Sequence, residues 1–367
     1  MDEKLKKLII YISAGFIIVF IIIFTISACQ GSSTSYESYQ KKMEKSAKEY
    51  FKKHEDELPT DDKKTSEYSL KQMIEDKNID DYTKAFKNKE AKCDGGVTVT
   101  NNNGYYLYTV ELDCGEDYST KKLTDKIIED NLSESGKGLF EIGNEYVFKG
   151  DDVNNYVTFN DETWRIISID ENNNINLLQT KQSLECEYDK HYNIDINENG
   201  INKYYQGEGK DSNLRKCLAE YYKEELKDET KTYLATQKVC YAARSQDDIT
   251  KDGSTECLEN IEGEPLNLVN IYEFMRASID EECITLKSTS CKNFNWMSTL
   301  KKTYTITPST KKSNLAYTMS YGYISTATVD NKLYTLLKIS IDGKINYKSG
   351  NGSKEDPYII GDVTKKK

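Results

Sequence analysis

The chain has 367 residues and a formal net charge of −11. That balance argues against nucleic acid, whose phosphates need a basic face, and against the bulk of the chain lying on anionic lipid. Only 37% of the residues are hydrophobic and 28 are tyrosines, so its cores use rings whose hydroxyls need water or a partner.

The first element is residues 8–29, LIIYISAGFIIVFIIIFTISAC, which carry no charge. About 20 apolar residues rising about 1.5 Å each cross a hydrocarbon core about 30 Å thick. Lys4, Lys6 and Lys7 precede the run, and the next lysine is Lys41. The asymmetry predicts a cytoplasmic N-terminus and an extracellular remainder. Ile26-Ser27-Ala28-Cys29 resembles the lipobox of bacterial lipoproteins, and that resemblance implies acylation at Cys29. Residues 1–29 are therefore read as a membrane anchor or a lipoprotein signal, and either tethers the chain to the cell membrane.

The other eight cysteines, Cys93, Cys114, Cys186, Cys217, Cys240, Cys257, Cys283 and Cys291, fall on the external side. An even count in an oxidising compartment predicts disulfides.

Residues 30–120 read as a stalk helix and a small β domain. Tyr36, Tyr39, Met43, Ala47, Tyr50 and His54 recur at spacings of three and four, which predicts an amphipathic helix ended by Leu58-Pro59. Residues 69–76 suit a short second helix. Asn103-Gly104 then suits a two-residue type I′ turn. A hairpin centred there pairs residues whose numbers sum to 207. Cys93 and Cys114 satisfy that sum at a non-hydrogen-bonded position, where Cα atoms stand about 4.5 Å apart, within disulfide reach.

The order of residues 8–120 resembles type IV pilins and pseudopilins of Gram-positive bacteria: a membrane helix running into an amphipathic helix, Leu-Pro, then a cystine-closed hairpin. Gly15-Phe16 matches the prepilin cleavage pair, whereas Phe20 stands where that motif has glutamate. The resemblance implies helix first and small sheet after. It also supplies an alternative function, a pseudopilin-like structural subunit of a surface or secretion assembly.

Residues 121–137 are charged, with Leu123, Ile127 and Ile128 at helical spacing, and read as a helical linker. Residues 138–363 form the larger domain, and 364–367 a basic tail. Short runs at 145–148, 155–159, 162–170 and 174–179 predict an antiparallel meander. Helical spacing returns at 214–226 and over 265–282. Strands resume after Thr303, with Asp342-Gly343 as a hairpin turn between the last two. Strands, then helices, then strands indicate an α+β fold with antiparallel sheets. Among the connectivities open to the six cysteines here, proximity favours Cys240–Cys257 and Cys283–Cys291, leaving Cys186–Cys217.

Asp195, Asn197 and Asn199, followed by Gly200, fit the first half of an EF-hand-type calcium loop, although the twelfth position is Gln206. Calcium is the one cofactor the sequence suggests. Cys186 and His191 form a thiol–imidazole pairing that oxidation of the cysteine would disable. No serine-hydrolase elbow, Walker loop or H-E-x-x-H occurs. Trp296, Tyr304, Tyr317, Tyr321, Tyr323 and Tyr334 are candidates for a binding face, with about half of them core-facing by strand alternation.

Residues 138–361 resemble an uncharacterised module of surface proteins from Gram-positive gut bacteria. The matching text is EYVFKGDDVNNYVTFNDETWRIISI, LVNIYEFMRAS, NFNWMSTLKKTYTITPS and SGNGSKEDPYII. That module is similar to the C-type-lectin and formylglycine-generating-enzyme fold group. No residue matches the reactive cysteine pair of the formylglycine enzymes, so no catalytic residue is implied. The expectation is a non-enzymatic, anchored extracellular protein for a carbohydrate or protein ligand. A formylglycine-type enzyme stands as a further alternative.

Overall fold

The computed structural model describes residues 34–102, 104–182, 184–190 and 201–361. The apolar run, Cys29, the calcium-type residues Asp195, Asn197 and Asn199, His191 and the basic tail lie outside the described residues. Among the described residues no helix is long and apolar enough to cross a membrane.

The protein mixes helices with antiparallel sheets and carries four disulfides. In chain order, α1 spans Tyr36–Lys53, β1 Thr65–Ser69, α2 Leu70–Glu75, α3 Tyr82–Ala85, β2 Asp94–Asn102 and β3 Tyr105–Asp113. Then follow α4 Leu123–Asn131, β4 Gly138–Ile142, β5 Glu145–Lys149, β6 Tyr156–Phe159, β7 Glu162–Ile169, β8 Ile175–Gln179 and β9 Leu184–Glu187. Next come α5 Asn213–Glu220, α6 Asp228–Lys231, β10 Leu234–Ala235, β11 Gln237–Cys240, β12 Asn260–Glu264 and α7 Ile271–Arg276. The chain ends with β13 Thr303–Pro308, β14 Leu315–Ser320, β15 Tyr323–Thr328, β16 Lys332–Thr335, β17 Lys338–Ile341 and β18 Tyr358–Ile360.

Two compact units emerge. The smaller comprises the described part of residues 1–53 with 68–97 and 110–119. Helix α1 buries Tyr39, Met43, Ala47 and Phe51, four residues apart on one face. Tyr36 and Tyr39 meet the Phe86 ring, and Tyr118 Oη donates to Gln40. The helix stops at Lys53, short of the expected Leu58-Pro59, and Glu55–Glu57 form a 3₁₀ turn. Three consecutive acids are unfavourable at a helix C-terminus and favourable in the first turn of a new one, which accounts for the early stop. The Cys93–Cys114 bridge has its Cα atoms 4.1 Å apart. Gly95 adopts φ 128°, and a Cβ there would stand 2.1 Å from the Glu111 carbonyl, so only glycine lets the two strands close.

The larger unit comprises residues 54–67, 98–109 and the described part of 120–367. Its main sheet has the order β10-β17-β8-β7-β5-β4, all antiparallel neighbours. Strand β6 pairs with β7 and, in parallel, with β18. From Trp164 to Ile169, β7 is buried on both faces, and the run is apolar apart from Arg165 and Ser168. Helices α4, α5 and α7 add Leu123, Ile127, Leu214, Leu218, Ile271, Phe274 and Met275 to the same core.

Two local readings of this unit change. The buried helix expected over 265–282 shrinks to α7. Asn270 starts it with a capping box to Glu273, while Asn267 instead pairs as a strand with Lys338. The Asp342-Gly343 turn forms but does not close a hairpin, because Asn346 bridges to Lys122 and Tyr347 N–H donates to the Lys121 carbonyl.

Candidate ligand-binding face

The three remaining disulfides join Cys186 to Cys217, Cys240 to Cys257 and Cys283 to Cys291. All eight described cysteines are bonded, so Cys186 offers no thiolate for a pairing with His191. Among the described residues no group of His, Cys, Asp and Glu stands close enough to hold a metal ion.

The six aromatic candidates separate into two groups of three. Trp296, Tyr304 and Tyr317 are fully buried, whereas Tyr321, Tyr323 and Tyr334 are more than half exposed. Tyr334 lies on β16 opposite Glu185 of β9. Tyr321 and Tyr323 sit at the turn between β14 and β15.

That turn has an unusual composition. Ser320 pairs with Tyr323, which leaves Tyr321 and Gly322 as its two central residues. Their φ values are 48° and 80°, the type I′ geometry. Asparagine or glycine adopts the first position readily, while an aromatic side chain there is a steric outlier. The turn is held by Tyr321 N–H, which donates to the Leu300 carbonyl at 2.8 Å. Gly322 allows it to seat on a neighbouring loop, since a Cβ would come within 2.6 Å of Lys292 Cβ and 2.8 Å of Ser298 Oγ.

The loop beneath is rigidly built. Ser298 Oγ donates to the Lys292 carbonyl at 2.6 Å. Asn295 Nδ2 donates to the carbonyls of Phe274 and Cys291, both at 2.8 Å. The Trp296 indole donates to the Phe148 carbonyl, and Cys283–Cys291 closes the preceding turn. At the crest of this loop Phe294 also has a left-handed backbone, φ 45°, and its ring is 54% exposed. Tyr321 is 57% exposed and Tyr323 58%. Lys292 Nζ donates to Tyr323 Oη at 3.0 Å and stands 4.4 Å from the ring centre. That hydrogen bond, and then the ammonium charge, pushes the Tyr323 phenol below its ordinary range.

Three exposed rings, Phe294, Tyr321 and Tyr323, therefore belong to a loop and a turn that meet where Gly322 seats on Lys292 and Ser298, with one ammonium on Tyr323. Two of the rings stand on backbone strained by about 1–3 kcal/mol each. Single exposed apolar residues are ordinary on a protein surface, but strain that holds them there is not. Sequence reasoning singled out Tyr321 and Tyr323 but missed Phe294. The one signal for it is its place between Asn293 and Asn295 beside the Cys283–Cys291 turn.

A polar cleft of 660 Å³ lies elsewhere in the same unit. Lys63, Lys122 and Lys344 share its lining with Asp125, Asp342 and Asn172 to Asn174, so it has no field of one sign. No family model, curated protein or solved structure matches the chain.

Proposed function

We propose that this is a membrane-anchored extracellular binding protein whose larger unit takes a glycan through Phe294, Tyr321 and Tyr323. The carrying observation is the pair of left-handed aromatic residues, Phe294 and Tyr321, both more than half exposed. Aromatic faces stack on the C–H faces of sugar rings with little loss of side-chain entropy. Lys292 adds a donor and a positive charge at the edge of the cluster, which favours sugars carrying a carboxylate or sulfate. The apolar run at 8–29 and the lipobox-like Cys29 support the anchored, external placement.

The test is a glycan and peptide array probed with the chain from residue 34 onward, beside a variant carrying Phe294→Ala and Tyr321→Ala. Retention by a set of glycans that the variant loses is the expected result. Retention by peptides alone removes the glycan assignment, and binding that is unchanged in the variant removes the ring cluster. A reporter fused after Lys367 that stays cytosolic removes the external placement.

A further inference from the structure

Asn267 and Lys338 face each other across one antiparallel bridge. Each backbone N–H donates to the other's carbonyl, at 2.9 and 2.8 Å. Partners in such a pair send their side chains to the same face from Cα atoms about 5.5 Å apart. Asn267 is fully buried and Lys338 is 7% exposed. A third buried group completes the set: Lys338 Nζ donates to Glu273 Oε1 at 2.6 Å, where the carboxylate is 2% exposed.

Every part of this cluster is fixed except one. Glu273 Oε2 accepts the Asn270 N–H at 2.7 Å, so the carboxylate cannot swing away. Asn267 Oδ1 accepts the Leu268 N–H at 2.7 Å, which sets the amide plane and polarises its carbonyl. Asn267 Nδ2, however, is buried with no partner. Gln237 Oε1 is likewise unpartnered, although its own amide nitrogen donates to the Lys338 carbonyl. A buried amide nitrogen without an acceptor is costly in a folded protein. Loss of that nitrogen removes the cost.

We propose that Asn267 and Lys338 become joined by an isopeptide bond, with Glu273 carrying the proton. The proton first moves from Lys338 Nζ to Glu273 along their hydrogen bond. The freed amine lone pair attacks Asn267 Cγ, a Nζ–Cγ bond forms, and the Cγ–Nδ2 bond breaks. Of the three protons on the ammonium, one remains on the new amide, one stays with Glu273, and one leaves on Nδ2 as ammonia. Nothing is oxidised or reduced, and no co-reactant is needed. Exchange between an amine and an amide is very slow in free solution. Here the fold supplies the high effective concentration and the excluded water that make it accessible. The product ties β17 of the main sheet to the segment leading into α7, a tether suited to a protein held at a surface.

The full chain, purified and digested, is read by mass spectrometry for the peptides containing Asn267 and Lys338. The expected result is one branched species, lighter than the two peptides together by one ammonia, and absent from Lys338→Met and Glu273→Gln chains. Two separate wild-type peptides at their sequence masses overturn the bond, whether or not the variants fold. A branched species that persists in Glu273→Gln overturns the role given to Glu273.

Discussion

Arg244 and Glu256 meet in the interior of the larger unit, with Nη1 3.0 and 3.1 Å from the two carboxylate oxygens and neither side chain exposed. The same guanidinium donates through Nη2 to the carbonyls of Asp248 and Thr250. The pair therefore holds the loop that Cys240–Cys257 closes. Removing one partner strands the other charge away from water, so Glu256→Leu is expected to cost about 3–5 kcal/mol. Adding Arg244→Met to it removes the stranded cation and recovers part of that loss. Urea unfolding of the two singles and the double checks this, and costs that merely add would show that the charges are not coupled.

Asp248, in the same loop, gives that region a pH dependence. Its Oδ1 accepts the Thr250 N–H at 2.8 Å and the Thr250 hydroxyl at 2.7 Å, and its Oδ2 accepts the Thr255 hydroxyl at 2.6 Å. Burial pushes this carboxyl up, but the bonds from Thr255 and Thr250 outweigh it and hold the group below its ordinary range. A carboxyl lowered in the folded state binds fewer protons there than when unfolded. Its contribution is complete above the unfolded range and is lost as pH falls through the folded one. Wild type should thus melt above Asp248→Asn near neutral pH, with the gap closing as the pH falls below the ordinary carboxylate range. A gap independent of pH would contradict the assignment.

At the β14–β15 turn, stability and binding are expected to move in opposite directions. Tyr321 occupies the left-handed position that asparagine takes with little strain. Tyr321→Asn should raise stability by about 1 kcal/mol and lower glycan retention on the array. Thermal melting and the array read the two effects on one sample. A variant that is less stable than wild type would mean that the ring contributes packing instead of being presented.

Much of this arrangement was readable from residue patterns, and the exceptions have identifiable causes. Centring a two-residue turn on Asn103-Gly104 set Cys93 opposite Cys114, and those two cysteines are bonded in the structure. Half of the six rings do face the core, but alternation along a strand is not what separates them, since Trp296 lies in a 3₁₀ turn, Tyr321 in a β-turn, and β13 is buried at every position. Which strand or loop would turn Phe294 outward was not readable, since the loop that carries it is held by Asn295 donating to the Phe274 carbonyl, distant in sequence. The run 265–282 looked helical throughout because a buried strand and a buried helix are equally apolar. Only the long-range pairing of Asn267 with Lys338 separates them. The parallel pairing of β18 with β6 left no local mark either, since its register joins residues about two hundred positions apart.

Lys292 and Tyr323 offer a spectroscopic handle on the ring cluster. The ammonium at 3.0 Å favours the phenolate of Tyr323, so this tyrosine should ionise before an ordinary exposed one. Many other tyrosines, among them Tyr39, Tyr68, Tyr188 and Tyr304, are pushed up by burial, which leaves the low end of the titration comparatively clear. Ultraviolet difference titration of the folded chain should therefore show an early phase equivalent to a single phenol. Lys292→Met should shift that phase upward without altering the later ones. Because both groups are exposed, added salt should shift it the same way by screening the charge. A bound acidic sugar that engages Lys292 would draw the ammonium from the phenol and move its ionisation to higher pH in parallel with occupancy. An early phase that survives Lys292→Met would assign it to another tyrosine and remove this handle.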